Sequence, residues 1–215
     1  MSSKKQRGFS LLEMMITVAI GLTIGGVTFM AMMPLFNRNH VDLAYDTTLG
    51  VLRATRHLAI TQGHEYVVTF DGGAGKITVQ YQGPPAPGTN IYPALTPVST
   101  YTIPVDTSFA THSGTPVGVA NTPDGFGTGS VNIDFGYTPV GGAGGAATIV
   151  FMPDGSARDG TSPGNGGNYS SGILYITRSA GPVNDSRAIT VWGATGRVRG
   201  WRLNKVGGVN TWMQL

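Results

Sequence analysis

The sequence predicts an α+β fold: one long N-terminal helix followed by an antiparallel β-sheet domain. Residues 14–33 carry no charge, a run long enough to cross a bilayer as a helix at ~1.5 Å per residue. Apolar and small residues then recur every three or four positions through residue 59. From Glu65 onward the period falls to two, between connections rich in glycine and proline.

The N-terminal stretch contains one costly residue. Lys4, Lys5 and Arg7 precede the apolar run and Glu13 stands at its front, where a carboxylate costs roughly 2–3 kcal/mol to place in lipid. A cleaved secretory signal has an apolar stretch of about 7–15 residues and a small-residue site behind it. This run is longer, and no Ala-x-Ala follows. A plain membrane anchor fits the length and puts the basic residues on the cytoplasmic side, but leaves Glu13 unexplained. A buried core helix would need surroundings able to wrap the whole apolar run, which the rest of the chain does not offer.

Beyond residue 33, Val41, Tyr45, Thr48, Leu52, Thr55 and Ala59 form a narrow stripe suited to packing on a sheet. Arg38, Asp42, Asp46, Arg53 and Arg56 mostly fall on other faces. Pro34 removes a backbone donor and is expected to kink or loosen the helix. Gly63 is the expected C-terminal cap. A helix over residues 9–62 would be ~80 Å long.

Two strands, "EYVVTF" and "KITVQY", flank the turn "DGGAG" as a β-hairpin. The same turn read as "DGGAGKIT" is not a phosphate-binding loop, because Phe70 stands where the first glycine belongs and Ile77 follows the lysine. Further strands are expected at "STYTIPV", "SVNIDFGY", "ATIVFM", "GILYITR", "AITVWG" and "RVRGWRL". "TPDG" and "MPDG" are turn sequences, with proline presetting one φ and glycine tolerating a positive one.

Charge is unevenly placed. Residues 57–186 hold three basic and eight acidic residues; residues 187–215 hold Arg187, Arg197, Arg199, Arg202 and Lys205 and no acid. That polarity points to an anionic partner at the C-terminal end. On a strand, Arg197 and Arg199 share one face while Val198 takes the other. Trp192, Trp201 and Trp212 lie in the same region, and aromatic rings beside cations suit nucleic-acid bases. The competing reading makes Gly196 a turn residue, pairs the arginines with acids of the preceding region and puts the tryptophans in the core. The chain has no cysteine, so its domain relies on an apolar core. His40, His57, His64 and His112 lack metal-ligand spacing, and Asp124, Asp134, Asp154 and Asp159 lack that of a calcium loop and read as turn caps. No catalytic grouping is legible, and neither an enzymatic activity nor a cofactor is expected.

The segment "RGFSLLEMMITVAI" resembles the class III signal of type IV prepilins and type II secretion pseudopilins. The downstream run "ATIVFMPDGSA", "GILYITR", "AITVWGATGRVR" is similar to the closing strands of the GspH/FimT branch of minor pilins, with its F-x-P-x-G turn and terminal Gly-Arg-x-Arg. The resemblance implies a type IV pilin-like fold with a prepilin leader at residues 1–8. A helix at 9–63, transmembrane over about 14–33, and a β-rich pilin domain at 64–215 complete the expected organisation. It implies cleavage by the prepilin peptidase between Gly8 and Phe9, and methylation of Phe9. Losing Lys4, Lys5 and Arg7 takes the formal charge from +3 to 0. Glu13 would then pair with the Phe9 amine of its own or a neighbouring chain, which removes most of the cost of both charges in lipid. The partners implied are other pilins or pseudopilins in a helical filament, an inner-membrane assembly platform, and the lipid bilayer around the helix. The location implied is the bacterial inner membrane with the domain in the periplasm, then a filament. Two machines fit the resemblance: a type IV pilus, with DNA bound for uptake through Gly196, Arg197 and Arg199 helped by Arg202 and Lys205, or a type II secretion system with a GspH-type pseudopilin.

Overall fold

The structure, a computed structural model, describes residues 10–89, 91–118, 121–127, 129, 131–137, 147–159 and 168–215, with backbone alone for 33–38. Gly8 and Phe9 lie outside the described residues. The chain divides into two units, Met1–Asn39 and His40–Leu215.

Helix α1 (Leu11–Gln62) begins behind Ser10, whose Oγ accepts from the Leu12 amide at 3.4 Å. Its described apolar residues through Met32 are exposed. The hydroxyls in that stretch are satisfied within the helix: Thr17 donates to Met14 O at 2.9 Å, Thr23 to Ile20 O at 2.9 Å and Thr28 to Ile24 O at 2.8 Å. A segment in hydrocarbon must meet its polar groups this way, since no water is there to do it. The helix continues through Pro34 to Gln62, and Gly63 follows at φ +69 as the expected cap.

In the second unit the expected stripe is the buried one. Val41, Tyr45, Thr48, Leu52, Thr55 and Ala59 are all buried, joined by Ala44 and Val51. Thr48 and Thr55 sit in this apolar face because each hydroxyl bonds back to a carbonyl one turn earlier at 2.7 Å. The stripe covers two antiparallel sheets. In the first, the order is β3 (Thr96–Thr102), β2 (Lys76–Gln82), β1 (Glu65–Asp71), β6 (Thr148–Phe151) and β7 (Ala157–Asp159). In the second it is β11 (Val209–Gln214), β10 (Arg197–Val206), β9 (Arg187–Trp192), β8 (Ser171–Arg178) and β4 (Thr107–Ser108), with β5 (Ile133–Tyr137) also paired to β8. Phe70, Ile77, Ile149 and Phe151 of the first sheet and Leu174, Ile176, Ile189 and Val198 of the second meet α1 in one core.

Strand β3 starts three residues earlier than expected, and Pro104 and Val105 follow its end instead of lying in it. β4, β7 and β11 have no counterpart among the strands expected from the sequence. On its other face the second sheet is covered too: Phe126, Tyr175, Trp201 and Trp212 pack into a smaller cluster. Both faces of β8 are therefore buried, as its continuous apolar run requires.

Candidate functional site

The C-terminal site is built around Arg56, a helix residue that the periodicity assigned to a non-core face. Its Nε donates to Gly155 O at 3.1 Å and its Nη2 to Thr195 O at 2.9 Å. Gly155 belongs to the turn between β6 and β7, and Thr195 to the turn between β9 and β10. The Phe151-to-Gly155 turn and the Gly196-Arg197-x-Arg199 run, forty residues apart in sequence, are thus fastened to one guanidinium. The amide of Ala157, the first residue of β7, adds a bond to Gly193 O at 2.7 Å beside the same junction. Gly196 is required by this junction. It sits at φ +59, and a Cβ there would lie 2.1 Å from Gly155 O and 2.8 Å from Arg56 Nε. The turn itself accounts for this glycine.

The first turn is set by Asp154, whose carboxylate accepts from Ser156 Oγ at 2.6 Å and the Ser156 amide at 2.8 Å. The Ser156 hydroxyl bond, then the amide bond, hold its pKa below the ordinary carboxylate value. Gly200 completes the seat of β10 on the helix: a Cβ there would overlap the Tyr45 hydroxyl. Burial, the larger effect, raises the Tyr45 pKa against the lowering influence of Arg53.

Arg199 is not a free cation. Its Nη1 lies 2.6 Å from Asp124 Oδ1, and the Asp124 side chain is only 5% exposed. The other oxygen of Asp124 accepts from Thr190 Oγ1 at 2.6 Å and Trp192 Nε1 at 3.0 Å. Thr190 in turn accepts from Trp201 Nε1 at 3.0 Å, and the Arg199 guanidinium lies 5.6 Å from the centre of the Trp192 ring. Asp124, with φ +55 in a short 3₁₀ turn (Pro123–Gly125), therefore pins a covering loop to the outer face of β9 and β10. Trp212 donates to Pro116 O at 3.0 Å, so all three indole N–H groups have protein partners.

Arg187 is likewise committed. It is buried, and its Nη2 lies 2.6 Å from Asp42 Oδ1 of α1. Arg197 is exposed at the first position of β10, as are Arg202 and Lys205 further along it. Strand alternation puts Arg202 on the Val198 face and Lys205 on the Arg197 face, so the basic residues do not form one row. Sequence reasoning missed Arg53 and Arg56. With Thr195, Gly196, Arg197 and Val198 they line a groove of about 440 Å³ that contains no acidic residue. At the other end of the chain, Glu13 occupies the first turn of α1 in the exposed apolar stretch.

A family described as the prokaryotic N-terminal methylation motif matches residues 3–29. The chain therefore carries the class III prepilin signal that its first residues resemble. No curated protein matches the sequence. Among solved structures, the chain is similar to the minor pseudopilin EpsH from the type 2 secretion system of Vibrio cholerae. Identity is 10%, the TM-score is 0.45, and the match covers 75% of this chain and 94% of that one.

Proposed function

We propose that this chain is a non-enzymatic minor pilin of the GspH/FimT type, a subunit of a type IV pilus. The methylation motif over residues 3–29, with Glu13 at the front of an exposed apolar helix, carries the reading. The prepilin peptidase cuts between Gly8 and Phe9 and the new Phe9 amine is methylated. Residues 11–32 hold the chain in the inner membrane with the β-domain on the periplasmic side, and the assembly platform lifts it into the filament. There Glu13 pairs with the amine of a neighbouring subunit, removing two charges from lipid at once. The exposed Arg197, Arg202 and Lys205 give the domain a basic end that takes DNA as its anionic partner.

The test is incorporation. Glu13→Ala should be inserted and cleaved like the wild type but be depleted from purified filaments, because the carboxylate serves docking and not folding. Wild-type abundance of the variant in filaments overturns the reading. Neighbours crosslinked to the wild-type chain in its native membrane should be pilus subunits; those of a protein-secretion pseudopilus would reassign the machine.

A further inference from the structure

We infer that, before assembly, the His40 end of the β-domain docks on the bilayer surface. Its two apolar prongs are the tip of the β10–β11 hairpin and the Pro104–Val105 turn, and Lys205 meets a lipid phosphate. The inference rests on the proposed membrane anchoring of residues 11–32 and adds a lipid contact that the anchor alone does not require.

β10 runs antiparallel to α1. Gly196 lies against Arg56 and Gly200 against Tyr45, while Arg202 stands opposite Arg187, which holds Asp42. Each step along the strand thus moves toward His40, where the helix enters this unit. Residues 203–206 extend about 13 Å further the same way before the chain turns at Gly207 and Gly208 into β11. Val206 and Val209 face each other across that turn and are 56% and 67% exposed. The second prong is fixed at the same end, because Asp106 lies 2.9 Å from His40 Nδ1. Val105, beside it, is fully exposed. Single exposed apolar residues are ordinary on a protein surface, but these three gather at one end, and that end is tethered. Residues 33–39 join His40 to the apolar span, and such a link reaches at most roughly 30 Å even when fully extended. Charge at this end suits an anionic surface. Asp42 is paired with Arg187 at 2.6 Å and Asp185 with Arg178 at 3.3 Å. Arg202 and Lys205 form no ion pair among the described residues. A lysine next to valines can lay its stem along the acyl boundary and bring its ammonium to a phosphate, the pairing of apolar and basic groups that interfacial segments use. Entry into the filament lifts the domain off the lipid and frees Lys205.

The chain has no cysteine, so single ones can be placed and labelled. Val105→Cys, Val209→Cys and, at the opposite end of β10, Ala194→Cys each carry an environment-sensitive fluorophore. The full chain is reconstituted in vesicles of mixed phosphatidylcholine and phosphatidylglycerol. Labels at 105 and 209 should be blue-shifted, quenched by brominated lipid and shielded from aqueous iodide; the label at 194 should show the reverse. Lys205→Gln should lower the ratio of docked to undocked label at 209 about fivefold in the mixed vesicles and leave it unchanged in phosphatidylcholine alone. All four substituted residues are exposed, and melting curves confirm that each variant is folded. If alkali strips the chain from the vesicles, the membrane anchor fails and this inference with it. If the chain stays but 105 and 209 behave like 194, anchoring stands and the docking is refuted. Shielding from iodide that ignores brominated lipid and grows with protein density would mean that a second copy covers the tip, which also overturns the inference. An unchanged ratio in Lys205→Gln removes the phosphate contact.

Discussion

Replacing Gly196 by alanine should destabilise the β-domain far more than the same change at Gly207. Both glycines have φ +59, so both variants carry the same left-handed backbone penalty, about 1–2 kcal/mol. At Gly207 that is all, since no atom lies within 4 Å of the added methyl. At Gly196 the methyl meets Gly155 O at 2.1 Å and Arg56 Nε at 2.8 Å, and both are backbone or tethered groups that cannot simply swing away. One charged hydrogen bond of Arg56, worth about 1.5–3 kcal/mol, is expected to break. The total at Gly196 is then roughly 2.5–5 kcal/mol. For a domain of this size the extra loss corresponds to a melting temperature roughly 3–12 °C below that of the Gly207 variant. Thermal unfolding of the full chain in detergent, followed by near-ultraviolet circular dichroism of the three tryptophans, reads this directly. Equal shifts for the two variants would refute the claim that Gly196 is required by the Arg56 junction.

Two further outcomes follow from the neighbouring carboxylates. Asp124→Asn keeps a residue that tolerates the left-handed backbone and two neutral acceptor contacts, but loses the ion pair to Arg199; stability should fall by about 1–3 kcal/mol. An unchanged melting temperature contradicts the latch assigned to Asp124. The lowered pKa of Asp154 means that its contribution to stability is complete above its ordinary value of about 3.9 and is lost as pH falls through the lower folded-state value. Ser156→Ala should raise that pKa back toward the ordinary value, and a carboxyl titration by NMR that shows no rise would contradict the hydrogen bond as its cause.

Much of the fold was legible because it depends on period. The 41–59 stripe, the turn between β1 and β2, and the strands β6, β8, β9 and β10 all follow from local alternation and turn chemistry. Strand β11 does carry a sequence signal: two glycines between Val206 and Val209 form a tight hairpin. β4 and β7, of two and three residues, are too short to show a period. The site was harder. Arg197 and Arg199 look equivalent along the strand, and only the chain's return of Asp124 across 75 positions separates a paired cation from an exposed one. Asp124 read as a turn residue, which it is, but the turn's position over β9 makes it a ligand for three side chains. Arg56 read only as a residue of another helix face, since a helical period reports distance from the core and not which loops wrap around the helix edge.

Prepilin processing is tested most directly by the mass of the mature chain isolated from its native membrane. Loss of residues 1–8 and one methyl group on the amine of Phe9 is the expected result. An intact residue 1–8 segment, or a chain beginning after residue 33, would contradict it.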